Sequence, residues 1–315
     1  MAETVSVIIP TLNAEKTLNA LLGAIALQTV KPTEVLVVDS GSTDRTLEIC
    51  RNYEFVRCLS IRREDFDHGG TRDWALGQTT DDYVLFLTQD ALPTGDGYIA
   101  AMLSMFADER VAACCGRQIA GEGASQIEKM TRSYNYPDQS HVRGGESIAT
   151  LGIKAFFLSD ACSAYRRTAY DEVGGFLSPI LTNEDMQIAR SFLEGGYLIA
   201  YCADAAVYHA HEYSFAQEFR RNFDIGCFLS GFEKGLPGVR AESEGVRYVR
   251  WMLAGLIKAH AWGQCLRFLK LCAAKALGVT LGRRAERMPL KLKRMLSANK
   301  AYWGKQKSAR MTMDA

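Results

Sequence analysis

Acidic side chains follow two short apolar runs of the sequence. Asp39 comes directly after the run 35–38. Asp90 comes two polar residues after the run 83–87, with Pro93 shortly behind it. Such runs predict strands buried on both faces, and open α/β sheets bind ligands at the carboxyl ends of their strands. Asp90 therefore suits a divalent cation carrying a phosphorylated substrate, the alternative being an Asp that opens a turn.

A second polar group lies between these two acids. His68 and Gly69 precede Arg72, with another glycine between them. Paired glycines let a backbone approach a ligand closely, and a guanidinium is a fixed fork for a phosphate. For Arg72 the alternative is a surface salt bridge to Asp65 or Asp67. The group as a whole predicts contact with a ligand.

The second half of the chain adds an acidic pair and two histidines. Glu184 and Asp185 open a predicted helix, where neighbouring side chains point in different directions, so one acid can enter a cleft. The helix dipole should lower the pKa of Asp185; an ordinary acidic first turn is the alternative. His209 and His211 follow the predicted strand 197–207, face the same way on extended chain, and could bind a metal.

Strands and helices alternate through the first half of the chain. With short loops between them, this alternation predicts an α/β fold with parallel strands and right-handed crossovers. Ser42 or Thr43 can cap the second helix. The sequence lacks the glycine-rich motifs of dinucleotide-binding folds and of P-loop NTPases. The predicted elements are strands over 5–9, 34–39, 55–61 and 83–87, and helices over 18–28 and around 47–50.

Length and composition indicate one large domain, or one domain and an extension, in a chain of 315 residues. The nine cysteines form no C-x-x-C pair, and we interpret them as small core residues of a reduced compartment. No signal peptide opens the sequence, and no apolar run approaches the roughly 18 residues of a spanning helix. The sequence thus predicts a cytoplasmic protein.

The C-terminal region is strongly basic. Residues 283–310 contain ten Lys or Arg and one acid, Glu286. Apolar residues such as Trp303 lie among these charges, and the mixture favours a helix lying on anionic lipid. A solvated helical face and nucleic-acid contact are the alternatives. The rest of the chain is mildly acidic and would repel nucleic acid, so we expect no nucleic-acid partner.

Four segments come in an order that resembles the family 2 glycosyltransferases of GT-A fold. The third and fourth resemble the rhamnosyltransferase branch in particular. The resemblance covers roughly residues 4–212, and it implies a catalytic domain over 1–212 followed by a helical, basic extension over 213–315. The segments are Ile-Ile-Pro-Thr-Leu-Asn at 8–13, Val-Asp-Ser-Gly-Ser-Thr-Asp at 38–44, Phe-Asp-His-Gly-Gly-Thr-Arg at 66–72 and Leu-Thr-Gln-Asp-Ala-Leu-Pro at 87–93.

The resemblance implies a Rossmann-like, mostly parallel sheet flanked by helices, and an inverting transferase that uses Mg²⁺ or Mn²⁺. The implied donor is dTDP-L-rhamnose, or another nucleotide-sugar. The implied acceptor is a saccharide, including a lipid-linked one, in the synthesis of bacterial cell-surface polysaccharide or lipopolysaccharide. Such an enzyme would work peripherally at the inner face of the cytoplasmic membrane.

The resemblance also assigns roles to single residues. Asp185 would be the general base, Asp39 would bind the pyrimidine base, and Asp90 would bind the metal, with His209 completing that site. Thr88 stands where the family has the first acid of its Asp-x-Asp motif, so metal binding should depend more on the donor diphosphate. The remaining substrate contacts are expected from Pro10, Thr11, Asn13, Ser40, His68, Gly69, Arg72, Gln89, Asp160 and Glu184.

Two other functions fit parts of the pattern. A nucleotidyltransferase also combines an α/β domain with acids and a metal, but it would want a basic, glycine-rich motif early in the chain, which residues 10–16 lack. A non-catalytic nucleotide- or glycan-binding module is allowed by Thr88 in place of the first acid.

Overall fold

A computed structural model describes residues 3–236, 239 and 241–304, the side chains of 241–243 excepted. The strands are β1 Val5–Thr11, β2 Glu34–Asp39, β3 Val56–Ser60, β4 Tyr83–Leu87, β5 Leu92–Pro93, β6 Val111–Ile119, β7 His141–Arg143, β8 Cys162–Arg166 and β9 Leu198–Tyr208. The α-helices are α1 Leu18–Ala26, α2 Thr46–Arg51, α3 His68–Leu76, α4 Tyr98–Ser104, α5 Gln126–Asn135, α6 Ile148–Leu151, α7 Arg167–Glu172, α8 Glu184–Glu194, α9 Phe215–Phe232, α10 Ala241–Lys258, α11 Trp262–Gly282 and α12 Leu290–Leu296.

One nine-stranded sheet forms the centre of the molecule. Its order is β3-β2-β1-β4-β8-β6-β9-β5, and β7 pairs with β9. The first four strands pair in parallel, as predicted. Beyond β4 the sheet is mixed, because β8 runs antiparallel to both β4 and β6. The α/β class is confirmed, and "mostly parallel" holds for the first half of the sheet only.

Strands β2 and β4 have the predicted bounds, but β1 continues past Pro10 to Thr11. The proline is tolerated because β1 pairs with β4 only as far as Ile8, and the missing N–H faces that side. The cap predicted for α2 is wrong. Its N-terminus has no bond from Ser42 or Thr43; instead Asp44 accepts the N–H of Thr46.

Apolar side chains alternate between the two faces of the sheet. Val7 and Ile9 belong to a core formed with α1, α2 and α4, whereas Ile8 belongs to the opposite core, with α3, α7 and α8. All nine cysteines are free thiols, and six of them are buried, as expected of small core residues. Because helices cover both faces of the sheet, the polar loops lie at the ends of the strands.

The C-terminal helices pack on one another and on α5. A third apolar cluster joins Ile127 of α5 to α10 and α11. Helices α9 and α11 touch through glycines: a Cβ on Gly226 would lie 2.4 Å from the carbonyl oxygen of Val279, and one on Gly282 would lie 2.0 Å from that of Phe223. The two backbones are therefore in direct contact. None of the described helices has the length and apolar content to cross a membrane.

Candidate functional site

A cavity of about 1030 Å³ opens where β1, β2 and β4 end. Parallel strands present their carboxyl ends at the same edge, so loops far apart in the chain meet there. The structure brings nine of the predicted residues into this one wall, including the two acids expected to do the chemistry. They are Pro10, Thr11, Ser40, His68, Arg72, Gln89, Asp90, Glu184 and Asp185.

Asp90 and two histidines form a compact cluster at this edge. The Asp90 carboxylate oxygens lie 3.5 Å from Nε2 of His209 and 3.4 Å from Nε2 of His211. The two Nε2 atoms are 3.0 Å apart. One ligand atom from each residue falls within 4.8 Å of the other two. Three groups that can hold one cation thus converge, and His211 joins the two residues that were predicted.

The protonation states of the cluster suit a metal ion. Burial would raise the pKa of Asp90, but the hydrogen bond and charge of His209 and the charge of His211 hold it at about 2. Burial and the neighbouring His209 lower the pKa of His211. Metals bind ionised carboxylates and neutral imidazoles, and the pKa shifts of Asp90 and His211 are in the directions that favour these forms. A carboxylate and two imidazoles together can hold one divalent cation.

Gln118 on β6 orients His209. Its Oε1 accepts a hydrogen bond from Nδ1 at 2.8 Å, which leaves Nε2 to face Asp90. The amide is held in turn, because its nitrogen donates to Ser159 Oγ at 2.8 Å and its oxygen also accepts from Arg132. The buried Gln118 was not predicted, since its role depends on a strand that pairs with β9 rather than on any local motif.

Replacing Gln118 by leucine should lower the affinity for Mn²⁺ by about 10–100-fold, the usual cost of removing a partner that orients a metal ligand. Calorimetric titration of the chelated and dialysed protein with MnCl₂ measures this. Gln118→Glu keeps an acceptor for the imidazole N–H and should retain more affinity than the leucine variant. Wild-type affinity in a folded Gln118→Leu protein would contradict the assignment.

A buried ion-pair network lies beside the cluster. Arg72 Nη1 is 3.0 Å from Glu184 Oε1, and Arg72 Nε is 3.6 Å from Asp160 Oδ2. All three residues are buried. The alternative salt bridges from Arg72 are wrong, because Asp65 pairs with a different arginine and Asp67 caps α3. Arg72 lines the cavity, but two carboxylates of the protein already balance its charge.

The pKa of the Asp185 carboxyl group is strongly perturbed in this site. It lies in the first turn of α8, and Oδ1 accepts the N–H of Met186 at 2.7 Å. Burial, followed by the negative charges of Glu184 and Asp160, raises its pKa well above the ordinary value. The prediction that the helix dipole would lower this pKa is wrong, because desolvation and two like charges outweigh the dipole. Burial opposes ionisation of Glu184 too, but Arg72 and then His68 lower its pKa.

Asp39 and Asn13 hold the loops behind the cavity wall. The Asp39 carboxylate accepts the N–H groups of Gly41 at 3.0 Å and Ser42 at 2.9 Å. Asn13 has a positive φ of 51° and accepts the N–H of Thr43 at 2.9 Å. Neither side chain is part of the cavity lining in this structure. Their contact with a nucleotide therefore stays a prediction.

Gly69 and Asp160 also lie behind the wall. A Cβ on Gly69 would lie 2.4 Å from the carbonyl oxygen of Leu177, so the predicted close approach is made by the protein's own backbone. Asp160 accepts hydrogen bonds from Ser163 Oγ at 2.7 Å and from the Tyr165 hydroxyl at 2.5 Å. Both residues therefore support the residues that line the cavity.

The opposite wall comes from the C-terminal region, and sequence reasoning missed it. Arg221 and Asp224 of α9 and Asn299 line the cavity. Asp224 Oδ2 accepts the N–H groups of Ala298 at 2.9 Å and Asn299 at 3.0 Å. Asn299 Nδ2 donates to the carbonyl oxygen of Leu181 at 3.2 Å. The segment after α12 is thereby fastened across the cavity to the loop before α8.

Comparison with known proteins agrees with the fold. The model of the family "Glycosyl transferase family 2" matches residues 6–174. The chain is 37% identical over 304 residues to the O-antigen chain rhamnosyltransferase RfbN of Salmonella typhimurium, covering 95% of this chain and 96% of the relative. It is also 37% identical to the O-antigen chain rhamnosyltransferase WbaN of Salmonella anatum, covering 95% of each chain.

A solved structure supports the fold independently. The mannosyltransferase PcManGT from Pyrobaculum calidifontis, in complex with GDP-Man and Mn²⁺, superimposes with a TM-score of 0.57 at 21% identity. The superposition covers 95% of this chain and 84% of that one. The predicted GT-A fold and the predicted rhamnosyltransferase resemblance are confirmed. With half of its length matched by the family and nearly all of it by two relatives, the chain belongs to glycosyl transferase family 2.

Proposed function

We propose that this glycosyltransferase moves L-rhamnose from dTDP-L-rhamnose to a saccharide acceptor, with inversion, in the synthesis of O-antigen or a similar surface polysaccharide. The observation that carries the proposal is the convergence of Asp90, next to two histidines, and Asp185 on one cavity. The relatives that share nearly the whole chain are rhamnosyltransferases of O-antigen chains, which supports the sugar and the acceptor class.

Asp185 would be the general base. Its carboxylate would accept the proton of the acceptor hydroxyl as the new glycosidic bond forms and the bond from the sugar to dTDP breaks. A single displacement of this kind passes through an oxocarbenium-like transition state and inverts the anomeric carbon, so a β-linked donor gives an α-rhamnoside. A base works best when its pKa is near the operating pH, and the raised pKa of Asp185 moves it in that direction.

Asp90, His209 and His211 would hold a divalent ion, which we propose to be Mn²⁺, the ion bound with GDP-Man in the mannosyltransferase PcManGT. When bound, such an ion neutralises the charge that develops on a departing diphosphate. The three side chains leave further coordination positions for phosphate oxygens. His211 would supply a metal ligand in place of the carboxylate that is missing at Thr88.

The two walls of the cavity would bind different substrates. The loops after β1 and β2, with Pro10, Thr11 and Ser40, would bind the nucleotide, supported by Asp39 and Asn13. The wall of Arg221 and Asn299 would face the acceptor. We therefore propose that the region 213–315 completes the site formed by residues 1–212. A cavity of about 1030 Å³ is at the upper end of the usual range for ligand sites, which is consistent with two substrates.

A lipid-linked acceptor would bring the enzyme to the inner face of the membrane, with the basic region 283–310 near anionic lipid. Seven of its ten bases lie within the described residues. One of these, Arg283, pairs with Glu233 at 2.7 Å. The bases outside the described residues are Lys305, Lys307 and Arg310.

A panel of nucleotide-sugars tests the donor. With MnCl₂ present, dTDP-L-rhamnose should raise the melting temperature more than UDP-GlcNAc or GDP-mannose does, since a ligand at 100 times its Kd adds about 2.7 kcal/mol to stability. Release of dTDP, reduced by EDTA, would separate an enzyme from a binding module. A larger shift with another donor would overturn the sugar assignment. Conversion of dTDP-L-rhamnose and added pyrophosphate to dTTP and rhamnose 1-phosphate would instead indicate a nucleotidyltransferase.

A further inference from the structure

An exposed apolar stripe runs along the outer face of α11. Trp262 is 61% exposed, Leu266 64%, Leu269 46% and Leu277 53%. Ala273 continues the stripe between the last two leucines. The spacing of four, three, four and four residues places all five side chains on one helical face. From Trp262 to Leu277 the stripe is about 23 Å long at 1.5 Å per residue, far more than the scattered apolar residues normal on a protein surface.

The inner face of α11 is already occupied. Cys265 and Phe268 belong to the apolar cluster shared with α5 and α10, and Gly278 and Gly282 touch α9. The stripe is on the opposite side of the helix from these residues. It therefore contributes nothing to the packing of α11 on the described part of the chain.

The sequence around the stripe is rich in basic residues. Residues 245–285 contain eight Lys or Arg and no Asp or Glu. Arg267 and Lys275 are used in ion pairs with acids of other segments. Within the described residues, Arg250, Lys258 and Lys270 make no ion pair, and all three are exposed. Exposed apolar residues flanked by unpaired cations match an anionic lipid surface.

The turn between α10 and α11 adds to this surface. Ile257 is 47% exposed just before the turn, and Trp262 follows just after it. Tryptophans are favoured at membrane interfaces because the ring is apolar and its N–H is polar. Cations beside this ring would meet the lipid headgroups.

We propose that the outer face of α11, with the α10–α11 turn, lies on the surface of an anionic phospholipid bilayer. This face is separate from the basic region 283–310 and from the cavity. Its apolar side chains would enter the boundary between headgroups and acyl chains, with the helix parallel to the membrane. The proposal does not depend on which sugar is transferred.

Flotation of the full chain with lipid vesicles tests this. The wild type should float with phosphatidylcholine–phosphatidylglycerol vesicles and not with phosphatidylcholine alone. Leu266→Ser with Leu269→Ser should reduce partitioning at least about tenfold, because each leucine loses its burial in lipid. Lys258→Gln with Lys270→Gln should reduce it about 30-fold, at about fivefold for each charge near the surface.

The matched control is Leu27→Ser, an exposed leucine outside this face that is 74% exposed. It should bind vesicles like the wild type. All variants change exposed side chains, so their melting temperatures and their transfer to a soluble acceptor should be unchanged, which separates this surface from the proposed chemistry.

Three results would overturn the proposal. One is wild-type flotation of both double variants. Another is loss of flotation only when Lys291, Lys293 and Arg294 are neutralised, which would assign the binding to the basic region 283–310. The third is a concentration-dependent dimer in light scattering that disappears in Leu266→Ser with Leu269→Ser while vesicle binding is absent, which would make the stripe a contact between two copies of this chain.

Discussion

Asp185→Asn should reduce turnover by about 10²–10⁴-fold, the usual contribution of a general base, and leave donor binding near the wild-type level. Asparagine keeps the shape of the side chain and its place in the first turn of α8, but it cannot accept a proton from the acceptor hydroxyl. The proposed donor-binding residues Pro10, Thr11 and Ser40 come from other segments of the cavity lining. Single-turnover kinetics with dTDP-L-rhamnose measures the rate, and calorimetry with dTDP measures the affinity.

The pH dependence of turnover gives a second readout for the same residue. Burial and the charges of Glu184 and Asp160 raise the pKa of Asp185, and a base works only when deprotonated. Turnover should therefore increase as the pH rises through that raised pKa and fall with unit slope as the pH drops below it. In Asp185→Asn the acidic limb should disappear from the residual rate.

Glu194→Gln is the matched control for this change. Glu194 is on the same helix, half exposed, in an ion pair with Arg190, and its replacement should leave the rate unchanged. Near-wild-type turnover of Asp185→Asn would refute the base assignment. If Asp185→Asn also kept a normal acidic limb in its pH profile, the base would be another acid of the cavity.

Asp90→Asn should lower the affinity for Mn²⁺ by more than about 100-fold, since even the partners that only orient metal ligands contribute 10–100-fold. The carboxylate is the one anionic ligand of the cluster, and both histidines lie within 3.5 Å of it. Transfer should fall in parallel, and excess MnCl₂ should restore part of it. Calorimetry and the electron paramagnetic resonance of free Mn²⁺ report binding without relying on activity.

Asp96→Asn controls for the loss of a negative charge near this edge. Asp96 is exposed in the loop after β5, and only its backbone carbonyl makes a contact, with Thr29. Its replacement should leave Mn²⁺ binding unchanged. Unaltered binding in Asp90→Asn would mean that the cluster is not the metal site and that Mn²⁺ binds elsewhere on the protein.

Local patterns predicted the parts of this site that depend on neighbours in the chain. Consecutive apolar residues identified β2 and β4 with their exact bounds, and hence the positions of Asp39 and Asp90 after them. The acidic pair before a helical repeat identified the start of α8. The end of β4 and the spacing of two histidines on extended chain indicated Asp90 and the histidines as potential metal ligands, and the structure brings the three together.

Contacts across the fold could not be predicted in this way. The partners of Arg72 come from residues 160 and 184, and the residue that orients His209 comes from another strand. The wall containing Asn299 is joined to a loop 118 residues away in the chain. The raised pKa of Asp185 likewise arises from burial among these neighbours, whereas a sequence shows only the helix dipole.

The glycine contact between α9 and α11 has a geometric consequence. Arg221 and Asp224 are on the side of α9 that faces the cavity, and Gly226 is on the side that touches α11, whose own stripe faces outward. With backbone against backbone, there is no intervening layer that could compress or expand. The pair then acts as a rigid spacer about two helix diameters thick, on the order of 20 Å. A saccharide carried on a lipid would have to span that height above the headgroups before its hydroxyl could meet the donor.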